Sequence, residues 1–235
     1  MKLNGLDLFS GIGGITRALN KWVTPIAYCE NDRYAQSVLL SRMAANELPR
    51  APIWDDVTSL SGSMLPNKID IIYGGFPCQD ISCAGTGKGL EGKRSGLFFE
   101  ITRLAKEINP LFIFLENVPA IRTRGLDVVL KELTLLRYDC RWTTLSASAI
   151  GAPHKRERWF LLAHSMRSGL ERQWQKPSRI QETYVKNTRS NWWAVEPNVD
   201  RVANGVPFRV DRIKCLGNSV VPEQVKEVFK KLIGL

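Results

Sequence analysis

Histidine is scarce in this sequence: its 235 residues include two, His154 and His164. Two histidines argue against a histidine-rich metal site and against a Ser-His-Asp triad. The five cysteines are odd in number and form no C-x-x-C pair, which argues against a disulfide framework and against a zinc ribbon. We therefore expect reduced thiols and no bound metal.

Long apolar runs are also absent. The longest, such as residues 111–115 and 159–163, have the length of a β-strand and fall far short of the ~20 residues that a membrane-spanning helix needs. The first residues carry one lysine but neither the apolar region nor the cleavage site of a secretory signal. The sequence predicts a cytoplasmic protein that does not interact with membranes.

Composition and charge indicate a folded protein with a polyanionic partner. Hydrophobic residues make up 44% and charged residues 24%, as in an ordinary globular chain, and 235 residues suit one main domain. The formal net charge of +10 favours nucleic acid, because basic contacts to phosphates release condensed counterions. A basic surface that serves solubility alone is the competing interpretation.

Apolar runs recur at intervals that suit alternating strands and helices. Because the runs are short and wholly apolar, they predict a sheet that is covered on both faces. Helical spacing between the runs favours a doubly wound α/β fold. The predicted strands are 5–9, 26–29, 69–73, 111–115 and 159–163, and the predicted helices are 15–22, 97–108, 126–136 and 220–235.

This pattern fails after residue 163. Residues 165–193 contain six Lys or Arg against two acidic residues, with Trp174, Tyr184, Trp192 and Trp193 interleaved. Residues 212–216 again show order, and a Gly-Asn-Ser turn is predicted after them. We therefore divide the chain into a catalytic and cofactor-binding domain (1–164), a small insertion (165–211) and a C-terminal segment (212–235).

The first predicted strand leads into a glycine-rich turn, residues 10–14, before a helix. Glycines at such a turn let the backbone approach a ligand at the helix N-terminus. Glu30 follows the second strand, where such folds bind ribose hydroxyls. Asp56 is placed to bind an adenine amino group, although the neighbouring Asp55 could do so instead. Together these residues favour a nucleoside-containing cofactor.

Two further reactive side chains follow the next two strands. Cys78 lies in a Gly-Gly-Phe-Pro-Cys-Gln turn, where a thiol is poorly placed for burial, and Glu116 ends the fourth predicted strand. Open α/β sheets bind substrates at this carboxyl edge. A nucleophilic thiol beside a carboxyl group is the interpretation we favour, against a buried cysteine and a solvated strand end.

Six short motifs follow one another along the chain: DLFSGIGG (7–14), GFPCQ (75–79), RSGLF (94–98), ENV (116–118), RER (156–158) and GNSV (217–220). In this order they resemble the cytosine-5 DNA methyltransferase family of bacteria and phages. The joint match is specific and covers nearly the whole chain outside residues 165–193. The resemblance implies a Rossmann-like methyltransferase fold, S-adenosylmethionine as cofactor and duplex DNA as substrate.

The resemblance also implies a role for each site residue. Cys78 would add to C6 of an extruded cytosine, Glu116 would hold or protonate N3, and Arg156 and Arg158 would flank the nucleophile, with Arg158 near O2. The residues that would bind the cofactor are Phe9, Gly11, Gly13, Glu30, Asp56, Pro77, Leu97, Asn218 and Val220. The C-terminal segment would fold back toward the first strand.

Two departures from the family pattern bear on specificity. His154 stands where the family usually has glutamine, which leaves its contact open. Only about residues 165–193 remain for reading bases, so we expect short, loose or partner-dependent recognition. A restriction endonuclease or an accessory specificity protein is a candidate partner of an otherwise monomeric enzyme.

Three functions stay open at this point. The first is DNA cytosine-5 methylation. The second is tRNA cytosine-5 methylation, which uses the same chemistry and fits a small recognition region. The third is a catalytically silent DNA-binding homologue, against which the presence of Cys78, Glu116 and Arg158 argues.

Overall fold

A seven-stranded sheet organises the part of the chain that the computed structural model describes, residues 2–65, 68–77, 95–166 and 209–234. The strand order is β3-β2-β1-β4-β5-β7-β6. The first five strands in this order, β3 to β5, are parallel to one another, whereas β7 is antiparallel to both β5 and β6. The strands are β1 Leu3–Leu8, β2 Val23–Cys29, β3 Ile53–Trp54, β4 Ile71–Gly75, β5 Phe112–Asn117, β6 Tyr138–Ser146 and β7 Glu157–Ser165.

Helices cover both faces of this sheet. Apolar residues of α3 and α5 pack on one face, and those of α1 and α7 pack on the other. No helix in the described ranges has the length and apolarity to cross a membrane. The helices are α1 Gly14–Leu19, α2 Arg33–Ala44, α3 Phe98–Ile108, α4 Ile121–Arg124, α5 Leu126–Leu135, α6 Arg209–Asn218 and α7 Pro222–Ile233.

The doubly wound α/β prediction is confirmed, and the five predicted strands correspond to β1, β2, β4, β5 and β7. Both faces of β5 are buried, as its apolar run predicts. The sequence did not predict the strands β3 and β6 or the antiparallel direction of β7. β6 is an edge strand with one buried residue, Tyr138, so it lacks an apolar run, and β3 has two residues.

Several helices also differ from their predictions. α1 ends at Leu19, so Trp22 lies beyond it and packs instead on Phe229, with ring centroids 5.5 Å apart. The predicted Gly-Asn-Ser turn is wrong in part, because Gly217 and Asn218 form the last turn of α6. α2 was not predicted, since its buried residues, Ala35, Leu39 and Met43, form a narrow stripe on an otherwise polar helix.

The strand order places a crevice at the carboxyl edge between β1 and β4. The chain passes from β1 to β2 in one direction across the sheet and from β4 to β5 in the other, so the loops after β1 and β4 diverge. Close packing lies beneath that crevice, because a Cβ at Gly74 would stand 1.9 Å from the carbonyl oxygen of Leu8. Loop residues 9–13 and residues 76–77 therefore border the same opening.

Candidate active site

The loop after β1 is fixed in a conformation that exposes its backbone. Phe9, Gly11 and Gly13 all have positive φ, at 55°, 53° and 80°. Ser10 ties the loop to the sheet, since its Oγ donates to the carbonyl of Asp7 at 2.9 Å and accepts from the Cys29 N–H at 3.2 Å. No atom of the described residues lies within 4 Å of the position that a Cβ at Gly11 would take. A ligand can therefore approach the backbone there.

Glu30 joins this loop to the start of α2. Its Oε2 accepts from the Gly11 N–H at 2.7 Å, and its Oε1 accepts from the Asp32 N–H at 2.8 Å. The residue is half-buried directly after β2. Both oxygens keep acceptor capacity, because a carboxylate has about four lone-pair sites. The carboxylate is thus held in one orientation and can still accept from hydroxyl groups.

Three half-buried apolar side chains, Phe9, Trp54 and Leu97, pack against the same core cluster. Trp54 pairs with Cys29, and its carbonyl accepts from the Glu30 N–H at 2.9 Å. Sequence reasoning missed Trp54; an aromatic residue just before the acidic pair at 55–56 was the available signal.

Asp56 lies on the surface, two residues after Trp54. Its Oδ1 accepts from the backbone N–H and the hydroxyl of Thr58, at 2.9 and 2.8 Å. These hydrogen bonds lower the pKa of Asp56 below its ordinary value. These hydrogen bonds hold the Asp56 carboxylate in place, and the neighbouring Asp55 is exposed as well.

Glu116 and Arg158 form a largely buried ion pair at the carboxyl edge of the sheet. Arg158 Nε lies 2.9 Å from Glu116 Oε1. Glu116 is 8% exposed, which excludes the solvated strand end considered above. Desolvation by burial raises the pKa of Glu116 to about 7, and the charges of Arg158 and Arg156 offset only part of that shift. Near neutral pH this carboxyl group can both hold and release a proton.

The neighbouring strand approaches Glu116 closely. Gly75 pairs with Glu116, and a Cβ at Gly75 would stand 2.7 Å from Glu116 Oε2. Asn117 donates from Nδ2 to the carbonyl of Phe76 at 3.4 Å, while its Oδ1 accepts from the Val118 N–H at 2.8 Å. These contacts join the ends of β4 and β5. Phe76 and Pro77 lead directly to Cys78, which lies outside the described residues.

Arg156 takes a different position from Arg158. Its Nη2 donates to the carbonyl of Gly217 at 2.9 Å and to that of Ser219. Val220 packs on the start of α1, with its Cγ2 2.8 Å from where a Cβ at Gly14 would be. The C-terminal segment therefore folds back onto the loop after β1, and it brings Asn218 and Val220 toward that loop.

A buried polar network under the loop was not predicted. The Thr16 hydroxyl donates to Asp7 Oδ2 at 2.6 Å and lies 2.7 Å from the hydroxyl of Tyr73. Asp7 is 1% exposed, and desolvation by burial raises its pKa to about 7. An aspartate inside an apolar strand was the sequence signal. The network links β1, α1 and β4 around the crevice.

The remaining predictions concern the cysteines, a metal site, His154 and the recognition region. Among the described residues, Cys29, Cys140 and Cys215 are free thiols, and no cluster of side chains there could hold a metal ion. His154 is half-buried in the loop before β7. The predicted recognition region lies outside the described residues from 167 to 208, with its tryptophans and tyrosine, so it stays a prediction.

Comparison with solved structures places the fold among the methyltransferases. A protein described as a DNA modification methyltransferase encoded within an E. coli prophage has a TM-score of 0.58 and 28% identity, over 70% of this chain and 47% of that one. Dnmt2 methyltransferase of S. pombe shares the fold, with a TM-score of 0.57 and 22% identity, over 70% of this chain and 50% of that one. Fold and site define a Rossmann-like methyltransferase domain.

Sequence comparison then identifies the family. Residues 3–205 match the C-5 cytosine-specific DNA methylases, and the chain belongs to that family. Type II methyltransferase M.CviJI of Paramecium bursaria Chlorella virus IL3A is 37% identical over 99% of this chain and 60% of its own length. Type II methyltransferase M.HhaI of Haemophilus parahaemolyticus is 34% identical over 79% of this chain and 56% of its own length. The chain thus spans less than two thirds of these relatives.

Proposed function

We propose that this chain is a DNA (cytosine-5)-methyltransferase, which moves a methyl group from S-adenosylmethionine to C5 of a cytosine in duplex DNA. The observation that carries the proposal is the buried Glu116, paired with Arg158 at the edge where the chain leaves β4 toward Cys78. Burial raises the pKa of Glu116 to about 7, so it can exchange a proton with a bound base near neutral pH.

The residues around the crevice fit S-adenosylmethionine. The half-buried Phe9, Trp54 and Leu97 offer an apolar wall for the adenine, and the carboxylate of Glu30 is oriented to accept from ribose hydroxyls. The described residues leave open space beside Gly11, which gives room for the methionine part. Gly13, Asp56, Pro77, Asn218 and Val220 would complete the site, with Asp56 at the adenine amino group. The bound cofactor supplies an electrophilic methyl group on a positively charged sulfur.

Cytosine needs activation before it accepts that methyl group, because C5 of the aromatic ring is a weak nucleophile. The Cys78 thiolate forms an Sγ–C6 bond, and the electrons of the C5–C6 double bond make C5 nucleophilic. Neutral Glu116 gives its proton to N3 as charge develops on the ring, and Arg158 stabilises O2. The positive charge of Arg158 also favours the thiolate.

The adduct then breaks down to product. C5 takes the methyl group, a base removes the C5 hydrogen as a proton, and the Sγ–C6 bond breaks to restore the aromatic ring. The N3 proton returns to Glu116 and the base releases the C5 proton to solvent, so the enzyme ends in its starting protonation state. No described side chain is assigned as the base that accepts the C5 proton.

Access to C6 requires that the cytosine leave the helix stack. The net charge of +10 suits the phosphate contacts that such a complex needs. We assign target reading to residues 165–211, whose shortness favours a short target site or an accessory specificity protein. A restriction endonuclease acting at the same site would be the functional partner.

Product analysis tests the proposal. Purified protein is incubated with labelled S-adenosylmethionine and either cytosine-containing duplex DNA or tRNA. Label at C5 of cytosine in DNA is the expected result. Label in tRNA alone would replace the proposal with RNA methylation, and label in neither would leave a silent binding protein.

Mechanism is tested separately with DNA that carries 5-fluorocytosine. With S-adenosylmethionine present, C5 receives the methyl group, but the fluorine cannot leave as a proton, so Sγ is not eliminated and the Cys78 adduct should persist as a covalent protein–DNA complex. Cys78→Ala should form none, and Cys83→Ala is the matched control that should trap DNA normally. A complex that survives in Cys78→Ala would show that another residue attacks C6.

A further inference from the structure

Residue 156 holds the C-terminal segment through both its side chain and its backbone. The guanidinium of Arg156 donates to the carbonyls of Gly217 and Ser219. In return, Gln224 Nε2 donates to the carbonyl of Arg156 at 3.0 Å and to that of Leu145 at 2.6 Å. We call this reciprocal set of hydrogen bonds the 156–224 clasp.

The Gln224 side chain of the clasp is buried, whereas the hydrogen bond from Arg156 to Gly217 is exposed. Gln224 is fully buried, so its amide forms these bonds without competition from water. Arg156 has a positive φ of 24°, a conformation that non-glycine residues rarely adopt, directly before β7 begins. This backbone turn directs the Arg156 guanidinium to the carbonyls of residues 217 and 219, whereas Arg158 bonds Glu116.

The segment that the clasp holds borders the proposed cofactor site on two sides. Val220 packs over Gly14, at the end of the loop after β1. Lys214, one turn earlier in α6, forms an ion pair of 2.5 Å with Asp32, and the Asp32 N–H is bonded to Glu30. Displacement of residues 217–220 would therefore disturb both the glycine loop and the carboxylate proposed to bind ribose.

We infer that Arg156 is a positioning residue for cofactor binding, which acts through residues 217–220, and that the activation of cytosine belongs to Arg158. The inference rests on the proposed function and assigns the two arginines of one motif to different parts of it.

Two measurements separate the roles. Binding of S-adenosylhomocysteine, measured by calorimetry, reports the cofactor site without turnover. Exchange of the cytosine C5 hydrogen with solvent, measured on DNA without cofactor, reports Cys78 addition: Sγ adds to C6, a solvent proton adds to C5, the original hydrogen leaves and Sγ is eliminated. The variants are Arg156→Lys, Gln224→Met and Arg158→Lys, with Arg50→Lys as a surface control.

Arg156→Lys and Gln224→Met should each raise the Kd for S-adenosylhomocysteine about tenfold, as expected for lost hydrogen bonds. Each should slow exchange less than Arg158→Lys does. Arg158→Lys should slow exchange strongly and change the Kd for S-adenosylhomocysteine little. The inference is overturned if Arg156→Lys slows exchange as much as Arg158→Lys with an unchanged Kd. Thermal unfolding of each variant shows whether it folds, and Gln224→Met carries the test if Arg156→Lys does not.

Failure of the proposed function gives a different result. A wild-type protein that binds S-adenosylhomocysteine but neither methylates DNA nor exchanges its cytosine hydrogen would refute DNA methylation alone. Weaker binding by Arg156→Lys and Gln224→Met would then still support the clasp as a cofactor-positioning device. Unchanged binding in both variants of an active enzyme would refute only the clasp.

Discussion

Arg158 Nε and Glu116 Oε1 lie 2.9 Å apart across the antiparallel pair β5 and β7, although the ladder register opposes Glu116 to Phe160. The pair is therefore diagonal, two residues along β7 from the directly opposed position. Burial still raises the pKa of Glu116 to about 7 despite the arginine. The carboxyl group thus combines a positively charged neighbour with the capacity to carry a proton near neutral pH.

The pH dependence of the adduct step should report Glu116. Glu116 acts as an acid only when it is protonated, and its raised pKa is about 7. Its contribution to the rate of adduct formation should therefore be complete below that pH and decline about tenfold per pH unit above it. Glu116→Gln should lose about 100-fold or more in rate at neutral pH. The ratio of wild-type to Glu116→Gln single-turnover rates, taken across pH 7, removes the titration of other groups. A ratio that rises with pH would mean that Glu116 acts as a base.

Stability should depend on pH through Asp7. Burial raises its pKa from 3.8 to about 7, so the folded protein keeps a proton that the unfolded chain has released. The contribution of Asp7 to the free energy of unfolding is therefore fully present below pH 3.8. It is lost as pH rises toward 7, and the loss is at most on the order of 4 kcal/mol. Asp7→Asn should be more stable than wild type at pH 8, with the gain shrinking at pH 5. Urea unfolding at both pH values measures this; equal differences would contradict a buried neutral Asp7.

Gly74→Ala should destabilise the sheet. A Cβ there would stand 1.9 Å from the carbonyl oxygen of Leu8, and backbone on both strands cannot move aside cheaply. We expect a loss of about 3 kcal/mol or failure to fold. Gly96→Ala is the matched control, since a Cβ at Gly96 meets no atom within 4 Å in the part of the chain that the structure describes. Equal melting temperatures for the two variants would refute the close approach of β1 and β4.

Glu30→Gln should weaken cofactor binding. The substitution keeps the shape of the side chain but removes its charge. It also replaces one of the two oxygens that accept from the N–H groups of Gly11 and Asp32 with an amide nitrogen, which cannot accept. Loss of charged hydrogen bonds of this kind corresponds to about a 10- to 100-fold increase in Kd. Calorimetry with S-adenosylhomocysteine measures the change. Glu47→Gln, on the surface 3.8 Å from Arg42, serves as control and should bind normally.

Much of the fold followed from local patterns. Apolar runs predicted the buried strands β4 and β5, because strands buried on both faces must be apolar throughout. β6 carries no such run, since an edge strand is only partly buried. The antiparallel direction of β7 depends on a connection through β6, and strand direction leaves no mark in the composition of a single strand.

The sequence by itself determined the fold class, the family and the position of Glu30 after its strand, because these depend on residue spacing and on motifs in order. Tertiary structure decided what each charged group can do. Arg156 and Arg158 are two residues apart and look equivalent in sequence. The positive φ at Arg156 sends it to carbonyls some sixty residues away in the chain, while β7 holds Arg158 on Glu116. The pKa of Glu116 likewise depends on burial by distant segments, which local sequence does not encode.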